Sequence, residues 1–339
     1  MKRLSFFEKL VFLVNSGFAF LLIFGLLLPY MPPHIFPALS VIALGLPVLI
    51  IINIIFFIYW LIRLKRPMLL SGLILVLGFG QVKNLYVFNS DSRTEEAPFI
   101  SVMSYNVRLF GKEGWAKNPV VGDKVVTFIE AESADVVCLQ EYRGTHEMST
   151  KTYPHRYEVM KSKNRLGGQK IYSKYPIINK GNLEFDSRFN NAIYTDIVKD
   201  QDTIRIYNVH FESLRLAPQV SELQKENSKR LLGRLGQAFK KQEAQAAIFL
   251  AHQAQSPYPV FVAGDFNNRS SSYLYKTIKG DKEDAFLEAG FGIGATFNFD
   301  FLPIRIDFIL NDAQFKPVSF KNYDVDYSDH YPIKATFSK

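Results

Sequence analysis

Four acids, two histidines and three asparagines of this chain stand at the ends of apolar, β-prone runs, where a folded domain would gather them. The run Val260-Phe-Val-Ala-Gly-Asp-Phe-Asn-Asn268 ends abruptly in polar residues. Strand periodicity puts Asp265 and Asn267 on one face. A carboxylate beside an amide suits a hard cation, a water to be activated, or a phosphate oxygen. Asn208 and His210 are also two apart, at the end of the run that begins at Ile204, and so project together. In Arg305-Ile-Asp-Phe-Ile-Leu310 the acid Asp307 is flanked by core residues. A buried carboxylate costs several kcal/mol unless it is paired, so Asp307 requires a cation or a histidine. Ser328-Asp-His-Tyr-Pro332 offers Asp329 and His330. Asn106 and Glu141 close two earlier runs, 99–105 and 135–139.

The elements that must carry these groups alternate. Runs at 99–105 and 135–139 read as strands, with helical spacing between them from Lys124 to Glu132. Residues 192–198 and 204–209 alternate as a hairpin joined through Lys199-Asp-Gln-Asp202. A long helical stretch follows Pro218, over 221–255, with Leu231, Leu235, Ala238, Phe239 and Phe249 on one side. Its Lys225, Lys229, Arg230 and Arg234 read as a solvated face. The lone Cys138, inside Val136-Val-Cys-Leu139, reads as a core residue.

The first 88 residues differ in kind. No Lys, Arg, Asp or Glu occurs from Leu10 to Ile62, long enough as helix for two crossings of a ~30 Å hydrocarbon layer. The expectation is three transmembrane helices at about 10–31, 36–62 and 68–88, a polar linker at 89–98 and a soluble domain at 99–339. Lys2, Arg3 and Lys9 precede the first span, and Arg63, Lys65 and Arg66 follow the second. The positive-inside rule places both clusters in the cytoplasm, so an odd number of spans puts the soluble domain outside it. Residues 1–66 hold +5 of the formal +8 charge. The remaining +3 argues mildly against a processive nucleic-acid groove.

In their order, Ser-Tyr-Asn106-Val, Leu-Gln-Glu141, Asn208-Val-His210, Gly-Asp265-Phe-Asn267, Arg-Ile-Asp307-Phe-Ile and Ser-Asp329-His330-Tyr-Pro-Ile resemble the endonuclease/exonuclease/phosphatase superfamily, the deoxyribonuclease I-like fold, over residues 99–338. The resemblance implies a four-layer α/β sandwich, two face-to-face mixed sheets with helices outside, and a site where strand ends meet. It implies Mg²⁺ or Mn²⁺ held by Glu141, with Asn106 beside it and Asp329 completing or flanking the metal site. Asp265 would orient or deprotonate the attacking water, and Asn267 would hold that water or a phosphate oxygen. His330, oriented by Asp307, and His210, helped by the substrate-binding Asn208, would stabilise charge on phosphoryl oxygens. Gln169-Lys170 and the residues flanking His210, Val209 and Phe211, depart from the family pattern and bear on the walls of the cleft. The leading expectation is a membrane-anchored, metal-dependent phosphodiesterase or phosphatase acting outside the cytoplasm on a phospholipid or lipid-linked headgroup. The alternatives are an extracytoplasmic nuclease for DNA or RNA, and a non-catalytic module that binds a phospho-ligand or a protein.

Overall fold

A computed structural model describes residues 4–89, 97–111, 120–161, 167–217, 219–300 and 302–339. The expected linker lies largely outside the described residues, as do Lys2, Arg3 and Pro218. The strands of the two large sheets, in order, are β1 (Ile100–Asn106), β2 (Val136–Tyr142), β3 (His155–Met160), β4 (Gly168–Ser173), β5 (Ile177–Asn182) and β6 (Asn191–Lys199). They continue as β7 (Asp202–His210), β8 (Val260–Asp265), β9 (Glu283–Asp284), β10 (Asp307–Asn311), β11 (Lys316–Asn322) and β12 (Ile333–Ser338). One six-stranded sheet runs β11-β12-β1-β2-β4-β3, the other β9-β10-β8-β7-β6-β5. Each is antiparallel except for one central parallel pair, β1 with β2 and β7 with β8.

The inner faces of the two sheets meet over Val102, Cys138, Ile171, Ile206, Phe261 and Ile333, all buried. Helices cover the outer faces because each presents an apolar stripe to its sheet. Val125 and Ile129 of α4 (Val121–Glu132) lie on Met103 and Val137. Phe249 of α5 (Ser228–Gln253) and Leu274 of α6 (Tyr273–Lys279) lie on Val209, Val262 and Phe308. The result is the expected four-layer α/β sandwich. The long helix starts later than the periodicity implies, at Ser228, because Asn227 caps it by accepting from the Arg230 amide; a separate turn of helix spans Val220–Leu223.

The apolar N-terminal region forms a bundle of α1 (Phe6–Leu27), α2 (Leu46–Ile62) and α3 (Met68–Leu77). Among the described residues only α1, extended by a 3₁₀ turn to Tyr30, is long and apolar enough to cross a membrane by itself. The other two expected spans are corrected here. Within 36–62 the backbone turns at 36–40 and makes one helical turn at Val41–Leu44, and the continuous helix starts only at Leu46, ahead of Pro47. Within 68–88 the helix breaks at Gly78 and resumes as Phe79–Lys83. Val87 and Phe88 then pair antiparallel with Gly292 and Phe291. The end of the expected third span is thus a short strand attached to the sandwich.

The bundle's interior is its polar part. Ser71 donates to Asn15 Oδ1 at 2.9 Å, and Asn53 donates to the carbonyls of Leu49 and Phe18, with all three side chains fully buried. The surface carries Phe6, Leu13, Phe20, Val48, Ile55 and Val76 in the open. Bundle and sandwich touch where α1 ends, where α2 begins and where the third helical segment ends. Ser271 donates to the Ala43 carbonyl at 2.7 Å, Lys276 lies over the Tyr30 ring, and Val41 and Leu44 pack on Leu235 and Phe239 of α5. At the opposite end Arg63 and Lys65 both reach Glu8, which ties the end of α2 to the start of α1.

Candidate active site

The parallel pairs of both sheets end at the same edge of the sandwich, so β1, β2, β7 and β8 deliver their last side chains to one cleft. Antiparallel β10 starts there, and the segment before β12 crosses it. Asp265 is the hub. Its backbone pairs with Asp307 on one side and with His210 on the other. Its Oδ2 accepts from Asn106 Nδ2 at 3.1 Å and from Asn267 Nδ2 at 3.2 Å, and lies 3.7 Å from the Nε2 atoms of both His210 and His330. Its Oδ1 accepts from the Asn267 amide at 2.7 Å. Gly264 is required beneath it: φ is +150°, and a Cβ would stand 2.0 Å from the Val209 carbonyl oxygen of the parallel neighbour.

Two of the site residues expected from the sequence occupy the left-handed region. Glu141, at φ 48°, sits in an irregularity of register between Leu139 and Tyr142, and this kink leaves its side chain 37% exposed while the rest of β2 is buried. Asn267, at φ 49°, turns the chain directly after β8 and adds a bond from Nδ2 to the Phe211 carbonyl at 3.0 Å. Asparagine tolerates this backbone better than most residues.

His330 and Asp307 meet as the buried acid required: Nδ1 lies 2.9 Å from Asp307 Oδ2. Burial alone would lower the His330 pKa, but the Asp307 and Asp265 carboxylates outweigh it and raise it, so the ring is held as a cation. Burial raises Asp265, with Asp307 adding to the rise and His330 opposing it. His210 is pushed down to about 3 by burial and by the charge of His330, which leaves a neutral ring. One deep histidine is therefore a fixed positive donor and the other an uncharged one. A hairpin over Phe297–Phe299 and Leu302–Ile304 leans on this pair. The Phe297 ring meets the His330 ring edge-on at 4.9 Å, and Thr296 Oγ1 accepts from the Ile306 and Asp307 amides.

Asn106, Glu141, His210, Asp265, Asn267, Asp307, Asp329 and His330 all come together. Asn208 does not join them. It shares the inward face of β7 with His210 but sits one pleat deeper, between the sheets, where it is fully buried. Its amide donates to the Leu139 and Lys170 carbonyls and accepts from Gln140. Every polar atom of that side chain is committed to tying one sheet to the other, so Asn208 positions the strands and has no free group for a substrate. Gln169 belongs to the same seam, donating to the Asn208 carbonyl at 3.0 Å. Lys170 is buried in a network with Glu147 and Glu158, and so neither residue walls the cleft.

Arg108 is the participant the motifs did not single out. It forms an ion pair with Asp329 through Nη1, and its amide donates to Asn106 Oδ1. The available signal was its spacing, two residues beyond Asn106. Its partner lies 221 positions away, which no local pattern reports.

Four carboxylates thus face the cleft, Glu141, Asp265, Asp307 and Asp329, against the cations Arg108 and His330. Glu141 has no lysine or arginine within ion-pair reach among the described residues; its pKa is raised by burial first and by Asp329 as well. That excess of negative oxygen fits a divalent cation beside Glu141 and Asn106, which touch at 3.4 Å. Asp265, Asp307 and His330 also offer ligand atoms within 4.8 Å of one another. There, however, the imidazolium already supplies the positive charge.

A family model described as "Endonuclease/Exonuclease/phosphatase family" matches residues 103–330, and one described as "Domain of unknown function (DUF8431)" matches residues 8–85. No curated protein matches the chain by sequence. Among solved structures, an endonuclease/exonuclease/phosphatase from Bacteroides vulgatus superposes with a TM-score of 0.55 at 19% identity, over 70% of this chain and 98% of its own. A humanized Danio rerio TDP2 gives 0.52 at 16%, over 71% and 99%. The mannosyl-6-phosphatase Bt3783 of Bacteroides thetaiotaomicron gives 0.50 at 15%, over 71% and 100%. The chain accordingly belongs to the endonuclease/exonuclease/phosphatase family of metal-dependent phosphoric ester hydrolases.

Proposed function

We propose that this protein is a membrane-anchored, divalent-metal-dependent phosphoesterase whose site faces the extracytoplasmic side and takes the phosphate ester of a lipid or lipid-linked headgroup. The observation that carries the chemistry is the arrangement around Asp265, a buried carboxylate 3.7 Å from the Nε2 atoms of two histidines, one paired with Asp307 and one not. Bound beside Glu141 and Asn106, Mg²⁺ or Mn²⁺ supplies Lewis-acid charge to the phosphoryl group. Asp329 flanks that position while tied to Arg108. Asp265 and Asn267 orient the attacking water, and the Asp265 carboxylate takes its proton as the water oxygen bonds to phosphorus and the ester P–O bond breaks. His330 donates from Nε2 to a phosphoryl oxygen while Asp307 holds the other ring nitrogen. His210 adds a neutral contact, so charge that grows in the transition state meets donors already in place.

The anchor reading rests on the inside-out bundle. Of the 33 large hydrophobic side chains exposed among the described residues, 26 belong to residues 6–88. Only 22% of the most apolar stretch of α1 is buried, unlike the core helix of a soluble protein. Buried asparagine and serine with apolar residues outside is the pattern that lipid favours. A crossing by α1 is supported by the placement of the ends, since the Glu8, Arg63 and Lys65 cluster and the sandwich occupy opposite ends of the bundle.

The test is hydrolysis by the full-length protein in detergent with Mg²⁺, comparing bis(p-nitrophenyl) phosphate, mixed phospholipid micelles and plasmid DNA. Release from the phospholipid at a rate exceeding nicking of DNA is the expected result. Nicking without lipid hydrolysis makes the protein a nuclease, and inertness on all three makes it a binding module.

A further inference from the structure

We propose that the cavity at the junction of bundle and sandwich binds the phosphate headgroup and the adjoining acyl segment of an anionic phospholipid. This rests on the membrane reading above and adds a second lipid contact outside the catalytic cleft. The cavity holds about 500 Å³, a size ordinary for a small-molecule site. Its walls are of two kinds. Leu46, Val48 and Ile51 come from the start of α2, and Val48 and Ile51 also face outward, where lipid chains would run. Arg269, Ser270 and Arg305 of the sandwich also line it.

The two guanidiniums are the unusual feature. Arg305 is 7% exposed and donates twice from Nη1 to Asp284, yet its buried Nη2 has no hydrogen-bond partner. Arg269 is part-buried and has the Arg305 charge in its surroundings with no opposing carboxylate. Burial and that like charge push its pKa down to about 10. Two cations lining one partly desolvated cavity, with a carboxylate on Arg305 alone, leave a place for an anion. Arginine is the residue suited to a planar, two-point grip on phosphate. An inorganic phosphate would satisfy the charges but would leave the apolar wall of α2 bare. An acyl chain covers it, and the bundle reading puts lipid at that edge.

The cavity also adjoins the site. Leu302 and Pro303 line it, and they belong to the hairpin whose Phe297 ring meets His330. A bound headgroup would therefore sit on the other side of one active-site wall. The Arg269 backbone amide donates to Asn268 Oδ1, and Asn268 lies outside the catalytic set and donates to Gln242.

The experiment measures binding of a fluorescent short-chain phosphatidylglycerol, and of the phosphatidylcholine with the same chains, to the full-length protein in detergent with excess chelator. The glycerol lipid is expected to bind about tenfold more tightly. Arg269→Gln should remove that preference and leave hydrolysis of bis(p-nitrophenyl) phosphate in Mg²⁺ unchanged, while Arg269→Lys should retain part of it. Equal binding of the two lipids by the wild-type protein overturns the proposal, as does a preference that survives in Arg269→Gln. So does displacement of the lipid by an equal concentration of inorganic phosphate, which would make the cavity a site for a free anion. Retention in vesicles through alkaline carbonate extraction reports the membrane reading separately. Retained protein without headgroup preference defeats the lipid site alone, and extracted protein defeats the anchor on which it rests.

Discussion

The bundle and the sandwich solve the placing of polar groups in opposite ways. In the sandwich, apolar side chains fill the interior and the polar set is driven to one edge, where Asp265 and its neighbours stay buried only because each is matched by another. In the bundle, Asn15, Asn53 and Ser71 are inside and the apolar side chains are outside. The same physics yields both arrangements, since an unsatisfied polar group is costly in a dry interior and in lipid alike. On the membrane reading proposed above, what differs is which surface meets water. A cluster of polar residues inside the sandwich therefore signals chemistry, whereas in the bundle it signals helix contact.

The largest expected effects break the sandwich side of this contrast. Glu141→Gln keeps the shape of the side chain and removes the charge that a hard cation needs, so hydrolysis should fall by roughly 10²-fold or more, as it should on adding excess chelator to the wild-type protein. Asp265→Ala should match that loss. Steady-state rates on bis(p-nitrophenyl) phosphate check all three, and full activity in chelator would remove the metal from the mechanism.

A second perturbation sharpens how the buried pair works. If Asp307 acts through His330, removing either should disable one function, and the double variant should be little worse than the more damaging single one. Multiplicative losses would separate them. The pH profile carries the sign. His330 is raised by Asp307 and Asp265 and works as the cation, so activity should decline as pH rises through its pKa. Asp307→Asn removes one of the supporting charges, lowers that pKa and should move the alkaline limb to lower pH.

The sequence reveals the site better than the bundle for reasons visible in particular residues. Alternation along a strand fixes a face, and chain order fixes which strand ends meet, so Asp265 with Asn267, and Asp307 with His330, could be read directly. Depth along a strand is not encoded in alternation. Asn208 has the right face and lies one pleat too far in, a matter settled by Leu139 and Lys170 of the other sheet. Nor does any local pattern join Arg108 to Asp329. In the apolar region composition shows that helices form but not where the backbone turns. The breaks fall at Gly45-Leu-Pro47 and Gly78, signals that a hydropathy count passes over.

The bundle's own contrast can be broken from outside. A reporter fused after residue 95 should lie outside the cytoplasm, because Arg63 and Lys65 meet Glu8 at one end of the bundle and the sandwich begins at the other. A reporter active only in the cytoplasm would mean an even number of crossings.

The smallest expected effect concerns the polar seam within the bundle. Ser71→Ala removes the donor to Asn15 Oδ1 and leaves an amide oxygen with no partner in the centre of the helices, next to an Nδ2 that already has none. In water such a loss between buried groups costs about 1–3 kcal/mol. In lipid the separated helices find other partners, and single interhelical hydrogen bonds average about 0.6 kcal/mol. If the bundle is a membrane unit, unfolding of the full-length protein in mixed micelles should therefore show Ser71→Ala destabilised by less than about 1 kcal/mol, with hydrolysis unchanged. A loss of 2 kcal/mol or more would place that seam in the soluble regime. It would remove the distinction between the two regions, because bundle and sandwich would then answer to the same solvent.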